Sequence, residues 1–144
     1  SHIDNIVGVK EASGDLDQVA AIIEGASQDF LVWSGNDSDT LPILALGGYG
    51  VISVASNLVG NQIRQMIESF MEGRGQEAAA IHRRLLPLIK AMFIISNPIP
   101  VKHALNKAGF AVGKPRLPLT PPDERSAAII ESTLKDYSID LPLG

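Results

Sequence analysis

Apolar residues in the first part of the chain gather into three short runs rich in β-branched side chains. The runs cover residues 6–9, 30–33 and 51–54, and each gap between them has room for one helix. The apolar residues are consecutive rather than alternating with polar ones. This pattern is typical of parallel strands whose two faces are both covered by helices. We therefore predict three parallel strands.

Both gaps between the predicted strands carry a helical pattern. In the first gap, Asp15 is placed to cap a helix, and Gln18 follows at capping-box spacing. That helix runs as far as Gly25, a residue suited to a helix end. The second helix is predicted over about residues 38–46, before a glycine pair. The first part of the chain is therefore predicted to be βαβαβ.

After residue 54 the pattern is wholly helical. A core-facing stripe at helical spacing is predicted for Ile63, Met66, Ile67, Phe70 and Met71. The next helix is predicted over residues 76–95, and Pro87 inside it is expected to kink or split it. A short helix over residues 101–108 and a last one over residues 120–137 follow. Thr120 is the predicted cap of the last helix.

The chain therefore divides into three predicted parts. Residues 1–2 are expected to be a tag remnant, residues 3–74 to form βα units, and residues 75–144 to form a C-terminal helical region. Three parallel strands cannot close a barrel by themselves. Two α/β architectures remain open: a small open sheet with a helical tail, or the last part of a (β/α)8 TIM barrel followed by extra C-terminal helices.

Composition excludes several classes of partner and site. The 144 residues carry a formal net charge of −4, so nothing attracts the chain to nucleic acid or to an anionic membrane surface. Cysteine is absent from the sequence, which excludes disulfides and thiolate metal sites and favours a reducing compartment, the cytoplasm. Apolar runs stay shorter than the roughly 18 residues of a membrane span.

Lys10 directly follows the first predicted strand. In parallel α/β folds, ligands bind at the carboxyl ends of the strands. A lysine amine held among apolar groups has a lowered pKa, and the free amine can attack a ketone to form a Schiff base. The alternative is a lysine that extends to the surface or forms an ion pair with Glu11 or Asp15. Position alone leaves both interpretations open.

The other polar candidates favour structural roles. Glycines in residues 34–37 and 47–54 would allow a ligand to approach the backbone, but they also suit ordinary turns. Residues 47–50 precede a strand, which argues against a phosphate-binding loop. Ser53 has no nearby His and Asp to activate it. Ordinary surface or interface positions are predicted for His82 and His103, and a solvated face for Arg83, Arg84 and Lys90.

Five segments, in order and at matching spacing, resemble the dihydrodipicolinate synthase family of pyruvate-dependent aldolases. They are NIVGVKEASGDL, FLVWSGND, LGGYGVISVASN, NPIPVKHAL and PRLPLTPP, and the likeness covers essentially all of the chain after Ser1-His2. Together they are more specific than any one of them. The NPIPVK and RLPLTP strings favour this family over N-acetylneuraminate lyase.

The resemblance implies a (β/α)8 barrel with added C-terminal helices, of which this chain would be about the second half. Lys10 matches the lysine that condenses with pyruvate. Gly35 and Ile52 match backbone positions that line the pyruvate pocket, with the Ile52 carbonyl near the bound substrate. The implied reaction joins pyruvate to L-aspartate semialdehyde on the way to diaminopimelate and lysine. It needs no metal and no cofactor beyond the covalent imine on Lys10, and a homo-oligomer is implied.

The chain departs from the family pattern in two respects. Asn36 stands where the family usually has an acidic residue. The family's acid–base groups and substrate clamps lie in the other half, so the isolated chain is expected to be inactive or nearly so. Two alternatives remain: a non-catalytic half-barrel whose strand edges pair with a second copy, and a related aldolase with another aldehyde acceptor.

Overall fold

A computed structural model describes residues 3–140, and within this range the chain forms three strands and six α-helices. The predicted tag remnant at residues 1–2 lies outside the described residues. A short 3-10 turn, Asp37–Asp39, precedes the second α-helix. In chain order, the elements are β1 Gly8–Glu11, α1 Leu16–Gly25, β2 Leu31–Ser34, α2 Thr40–Ala45, β3 Gly50–Val51, α3 Ser56–Met71, α4 Gly75–Ala91, α5 Ile99–Lys107 and α6 Glu124–Leu134.

The three strands form one parallel sheet with β2 in the centre. Lys10 of β1 lies opposite Trp33 of β2, and Trp33 lies opposite Gly50 of β3. Residues that lie opposite each other share a face of the sheet. The predicted βαβαβ order is confirmed, and the carboxyl ends of all three strands lie at one edge.

Helices cover one face of this sheet. Val9 and Val32 point to that face, where they pack with Val19 of α1 and Ile43 of α2. The opposite face carries Lys10, which is exposed. The expectation that helices cover both faces is wrong for residues 3–140. The helices after β3 pack mainly on one another, so they are not available to cover the second face.

The larger hydrophobic core lies among the later helices. It joins α3 to α4, α5 and α6 through fully or nearly fully buried side chains, among them Leu58, Ile63, Met66, Leu85, Leu88, Met92, Ala104 and Ile130. This core contains residues from both sides of position 74. The division into βα units over residues 3–74 and a helical region over residues 75–144 stays a prediction. Met71 was expected in the core but is 68% exposed. It is the last residue of α3 and lies at the rim of an open cleft with Ile23 and Phe30.

Pro87 does not split α4, which continues from Gly75 to Ala91. The prediction of a split was wrong because Pro87 lies on the exposed side of the helix. Proline has no N–H to donate to the Arg83 carbonyl, and this carbonyl can bond to water instead because Arg83 is exposed. Next to it, the Tyr137 hydroxyl donates a 2.6 Å hydrogen bond to the Arg84 carbonyl.

The last helix begins three residues later than Thr120 would place it. Asp123 is the cap, and its carboxylate accepts a 2.7 Å hydrogen bond from the Ser126 amide. This bond lowers the pKa of Asp123. Two consecutive prolines explain the shift, since a residue that precedes proline is disfavoured in the helical region. The helix therefore starts only after Pro122.

The backbone of α3 is broken near its start, at Val59, where φ is −130° and ψ is 39°. In a regular helix the Gln62 amide would donate to the Leu58 carbonyl. Instead, both groups bond to Asp140. The Asp140 amide donates to the Leu58 carbonyl at 3.0 Å, and the Asp140 carboxylate accepts from the Gln62 amide at 3.1 Å. Asp140 thus replaces the missing helical bond.

Replacement of Asp140 by alanine should destabilise the chain by about 0.5–2 kcal/mol, the usual cost of removing a helix-capping side chain. The Gln62 amide would lose its acceptor inside the break. Urea denaturation measures the change. Asp136→Ala is the matched control because the Asp136 side chain is exposed. That control should stay within about 0.5 kcal/mol of wild type. Equal effects of the two substitutions would contradict the role of Asp140.

Candidate active site

The Lys10 side chain extends from the third residue of β1 on the face that helices leave open. It is exposed, and within residues 3–140 no carboxylate lies within ion-pair distance of its amine. The alternative of an ion pair with Glu11 or Asp15 is therefore wrong. The apolar surroundings expected around the amine are not formed by this part of the chain.

The turn after β1 is fixed by the carboxylates of Glu11 and Asp15, whose hydrogen-bond partners are residues of the turn and of α1. The buried Glu11 carboxylate accepts hydrogen bonds from the amide and the hydroxyl of Ser13, both at 2.8 Å, and from the Gln18 side chain at 3.4 Å. Asp15 caps α1 as predicted and accepts from the amides of Asp17 and Gln18. The Gln18 side chain bonds to Glu11 and the Asp15 amide donates to the Ser13 hydroxyl, so the reciprocal bond of the predicted capping box is not formed. These hydrogen bonds fix the turn next to Lys10.

Gly35 directly follows β2 and lies against the Lys10 side chain. Its amide donates a 2.6 Å hydrogen bond to the Glu11 carbonyl. A Cβ atom at position 35 would lie 2.5 Å from the Ala12 Cβ and 3.1 Å from the Lys10 Cε. The space that a side chain would need is thus already occupied. The structure brings Lys10 and Gly35 together.

Ile52 directly follows β3 and lies at the same edge of the sheet. Its amide donates a 2.9 Å hydrogen bond to the Ser34 carbonyl, and 48% of its surface is exposed. β2 separates β1 from β3, and the register places Gly50, two residues before Ile52, level with Lys10. Ile52 therefore lies across the sheet from Lys10 and two residues further towards the carboxyl ends of the strands.

Asp37 is a site residue that the sequence did not reveal. It is only 2% exposed, and its carboxylate accepts hydrogen bonds from the Ser53 hydroxyl and from the amides of Val54, at 2.9 Å, and Ala55, at 3.4 Å. Ser53 thus has an aspartate beside it, to which its hydroxyl donates, although the sequence did not indicate this partner. The signal was an aspartate just after a strand of a parallel sheet, where consecutive loops become neighbours.

The side-chain amide of Asn36 links the loop after β2 to the loop after β1. Its Nδ2 donates to the Asp39 carboxylate at 2.9 Å and to the Ala12 carbonyl at 3.4 Å. An ionised acid at this position could make neither bond, because a carboxylate is only an acceptor. The departure from the family pattern is thus matched by specific contacts in this chain.

Two aromatic side chains lie on the face that carries Lys10. Trp33 and Tyr49 meet edge to face, with ring centroids 5.5 Å apart and an interplanar angle of 72°. The Trp33 ring also lies over Gly8, where a Cβ atom would clash with it. We call Lys10, Trp33, Tyr49 and Ile52 the open face of the sheet.

His103 lies away from the strand ends. Its Nε2 lies 2.9 Å from a carboxylate oxygen of Glu131, and the Lys107 amine lies 3.0 Å from the same oxygen. Hydrogen bonds from Lys107 and His103 hold the pKa of Glu131 below its usual value. This cluster joins α5 to α6.

His82 lies in α4, which packs against the 3-10 turn. Its Nδ1 is buried and has no hydrogen-bond partner within the described residues. No group of His, Asp and Glu suited to a metal ion occurs in residues 3–140. None of the helices in the same range is both long and apolar enough to span a membrane.

Comparison with known proteins identifies the family. Residues 1–137 match the Dihydrodipicolinate synthetase family, and the chain belongs to that family. It is 63% identical over 143 residues to the 4-hydroxy-tetrahydrodipicolinate synthase of Dehalococcoides mccartyi strain CBDB1. That match covers 99% of this chain and 48% of the relative. The chain thus spans about half the length of the relatives it matches.

Solved structures agree with this result. A dihydrodipicolinate synthase from Cyanidioschyzon merolae with lysine bound is 46% identical, with a TM-score of 0.88 over 92% of this chain and 45% of that one. The chloride-inhibited enzyme from Acinetobacter baumannii complexed with pyruvate is 35% identical, with a TM-score of 0.86 over 93% and 46%. The fold is therefore the C-terminal part of a (β/α)8 barrel with extra helices, as predicted, and not a complete small sheet.

Replacement of Gly35 by alanine should destabilise the chain by about 1–3 kcal/mol, the usual cost of overpacking. The new methyl group would overlap Ala12 and the Lys10 side chain. Urea denaturation tests this. Gly25→Ala is the control, because nothing lies within 4 Å of the added atom. That change should leave stability equal or raise it, since alanine favours a helix. A neutral Gly35→Ala would contradict the close approach.

Burial lowers the pKa of His82 below its usual value of 6.5, an effect that nearby Asp39 opposes and Arg83 reinforces. The stability due to neutral His82 is therefore fully present above pH ~6.5 and is lost as the pH falls through the lowered pKa of the folded state. Thermal unfolding between pH 7.5 and 5 should show this loss in wild type and in His103→Gln, and a smaller loss in His82→Gln. Identical pH profiles would contradict it.

Proposed function

We propose that this chain is the C-terminal half of a 4-hydroxy-tetrahydrodipicolinate synthase, a lyase that condenses pyruvate with L-aspartate semialdehyde in lysine and diaminopimelate biosynthesis. One observation carries the proposal: in a chain of this family, the exposed Lys10 amine stands at the carboxyl end of β1, directly beside Gly35. A relative that is 63% identical over 143 residues bears the synthase name, and a solved neighbour is complexed with pyruvate.

In the proposed reaction, the Lys10 amine attacks the ketone carbon of pyruvate and water leaves, which gives an imine. The imine nitrogen withdraws electrons, so a methyl proton is lost and an enamine forms. The enamine carbon then bonds to the aldehyde carbon of aspartate semialdehyde. Cyclisation displaces Lys10 and regenerates the free amine. The imine is the electron sink, so the scheme calls for no metal and no separate cofactor.

Two backbone positions complete the proposed pyruvate pocket. Position 35 can contact the substrate closely because glycine adds no side chain next to the Lys10 stem. At position 52 the amide is already bonded to Ser34, and no donor within residues 3–140 bonds to the carbonyl. We assign the Ile52 carbonyl as an acceptor for the substrate.

The proposed site needs the other half of the barrel. General acid–base groups typically contribute about 10²–10⁴ to a rate, and we expect them, together with the substrate clamps, in that half. We therefore expect the 144-residue chain alone to be inactive or nearly so. The complete enzyme, which we expect in the cytoplasm as a homo-oligomer, should be active. A different aldehyde acceptor remains an alternative, because the other half would bind much of it.

A non-catalytic assembly module is the second candidate. The observation that favours it is that β1 and β3 each have one strand edge without a partner within the described residues. Such edges readily pair with another strand. In this case, a second copy would cover the open face and Lys10 would have no chemical role. Light scattering that shows a tight dimer, together with no imine formation, would favour this candidate over the enzyme.

Borohydride trapping tests the enzyme proposal. The full-length protein that contains this segment is incubated with pyruvate, reduced and weighed by mass spectrometry. We expect one reduced pyruvate adduct, located on Lys10 by peptide mapping. Lys10→Gln should abolish the adduct, whereas Lys90→Gln, which changes an exposed lysine of α4, should keep it. Absence of any adduct from the full-length wild-type protein would exclude the assignment.

A further inference from the structure

Asp37 is a buried carboxylate whose partners are all uncharged. The three donors come from consecutive residues after β3: the Ser53 hydroxyl and the amides of Val54 and Ala55. Within residues 3–140 no Lys or Arg forms an ion pair with it. Burial of a carboxylate is costly unless its oxygens are hydrogen-bonded. The local structure is therefore organised around this acceptor.

The position of Asp37 in the chain gives these bonds a specific consequence. Asp37 comes two residues after Gly35, and its hydroxyl partner comes one residue after Ile52. The carboxylate thus links the loop that carries Gly35 to the loop that carries Ile52. The Ile52 amide is held separately by the Ser34 carbonyl. The Ile52 carbonyl therefore lies between two hydrogen-bonded groups, the Ile52 amide before it and the Ser53 hydroxyl after it.

The bond network continues on both sides of the carboxylate. The Ser53 hydroxyl also accepts a 2.8 Å hydrogen bond from the Ser56 amide at the start of α3. On the other side, the Asp37 carbonyl accepts a 2.9 Å bond from the Thr40 hydroxyl at the start of α2. Both helices that follow the two loops are thus connected through Asp37. Movement of one loop relative to the other would break several of these bonds at once.

We propose that Asp37 is a positioning residue: it fixes the Ile52 carbonyl at the distance from Lys10 that the pyruvate imine requires. The inference rests on the proposed function. Asparagine has nearly the same shape but no charge and only one acceptor oxygen. If that oxygen keeps the Val54 and Ala55 amides, Nδ2 takes the place of the oxygen that accepts from the Ser53 hydroxyl, and the charge-assisted bonds are lost. Asp37→Asn should therefore release the loop after β3 while leaving Lys10 itself unchanged.

The experiment uses the full-length protein and measures the borohydride-trapped fraction over a range of pyruvate concentrations. For Asp37→Asn we expect the half-saturating pyruvate concentration to rise by about 10- to 100-fold, the loss that a misplacement of ~1 Å can cause. Asp39→Asn is the matched control. It removes the same charge from the same turn, and its remaining oxygen can still accept from Asn36. This control should saturate like wild type.

Ser53→Ala supplies a milder variant that keeps the test valid if Asp37→Asn fails to fold. It removes one of the three donors, so a smaller rise is expected. If both residues act through one contact, the double variant should show less than the product of the two single effects. Circular dichroism and unfolding midpoints verify that each variant is folded.

The outcomes separate this inference from the proposed function. If wild type is trapped and folded Asp37→Asn and Ser53→Ala both saturate like wild type, the positioning role is overturned and the enzyme assignment stands. If wild type is not trapped at all, the assignment fails and the inference falls with it. A rise of the same size in Asp39→Asn would also overturn the role, because it would attribute the effect to charge alone.

Discussion

The parallel pairing of β2 with both of its neighbours is the constraint on which the other features depend. Because the strands run in one direction, the residues that follow them emerge at one edge of the sheet. Lys10, Gly35 and Ile52 lie far apart in sequence but share this edge. The same geometry brings the loops after β2 and β3 side by side, which allows the Asp37 carboxylate to reach three donors of the next loop.

The two faces of the sheet have separate physical roles. Val9 and Val32 pack under α1 and α2, and the later helices form a larger core of their own. Lys10 projects from the other face, where it does not disturb this packing. The packing that stabilises residues 3–140 lies on the opposite face and among the later helices. A reactive side chain on the face of Lys10 therefore does not have to contribute to the core. The loops themselves are fixed by buried carboxylates, those of Glu11 and Asp37, through their hydrogen bonds.

Local sequence signals predicted the elements well and the contacts between them less well. The existence of three strands and the Asp15 cap depend on neighbouring residues, and the structure confirms both. The prediction that Lys10 follows the first strand is wrong by two residues, because β1 extends to Glu11 and includes Lys10. The role of Asp37 depends on residues sixteen to eighteen positions away. The exposure of Met71 likewise depends on where neighbouring elements end. The hydrophobic periodicity of the sequence carries no information about the contacts of Asp37 or the exposure of Met71.

The bond between Asp140 and the break in α3 has a consequence for the order of folding. It joins residues that are 78 positions apart in the chain. A contact at such separation forms only after the intervening helices have brought its two sides together. During synthesis, the ribosome releases the first turns of α3 long before Asp140 emerges. Until then the Leu58 carbonyl and the Gln62 amide lack their native partner, so the break in α3 is fixed only late in folding.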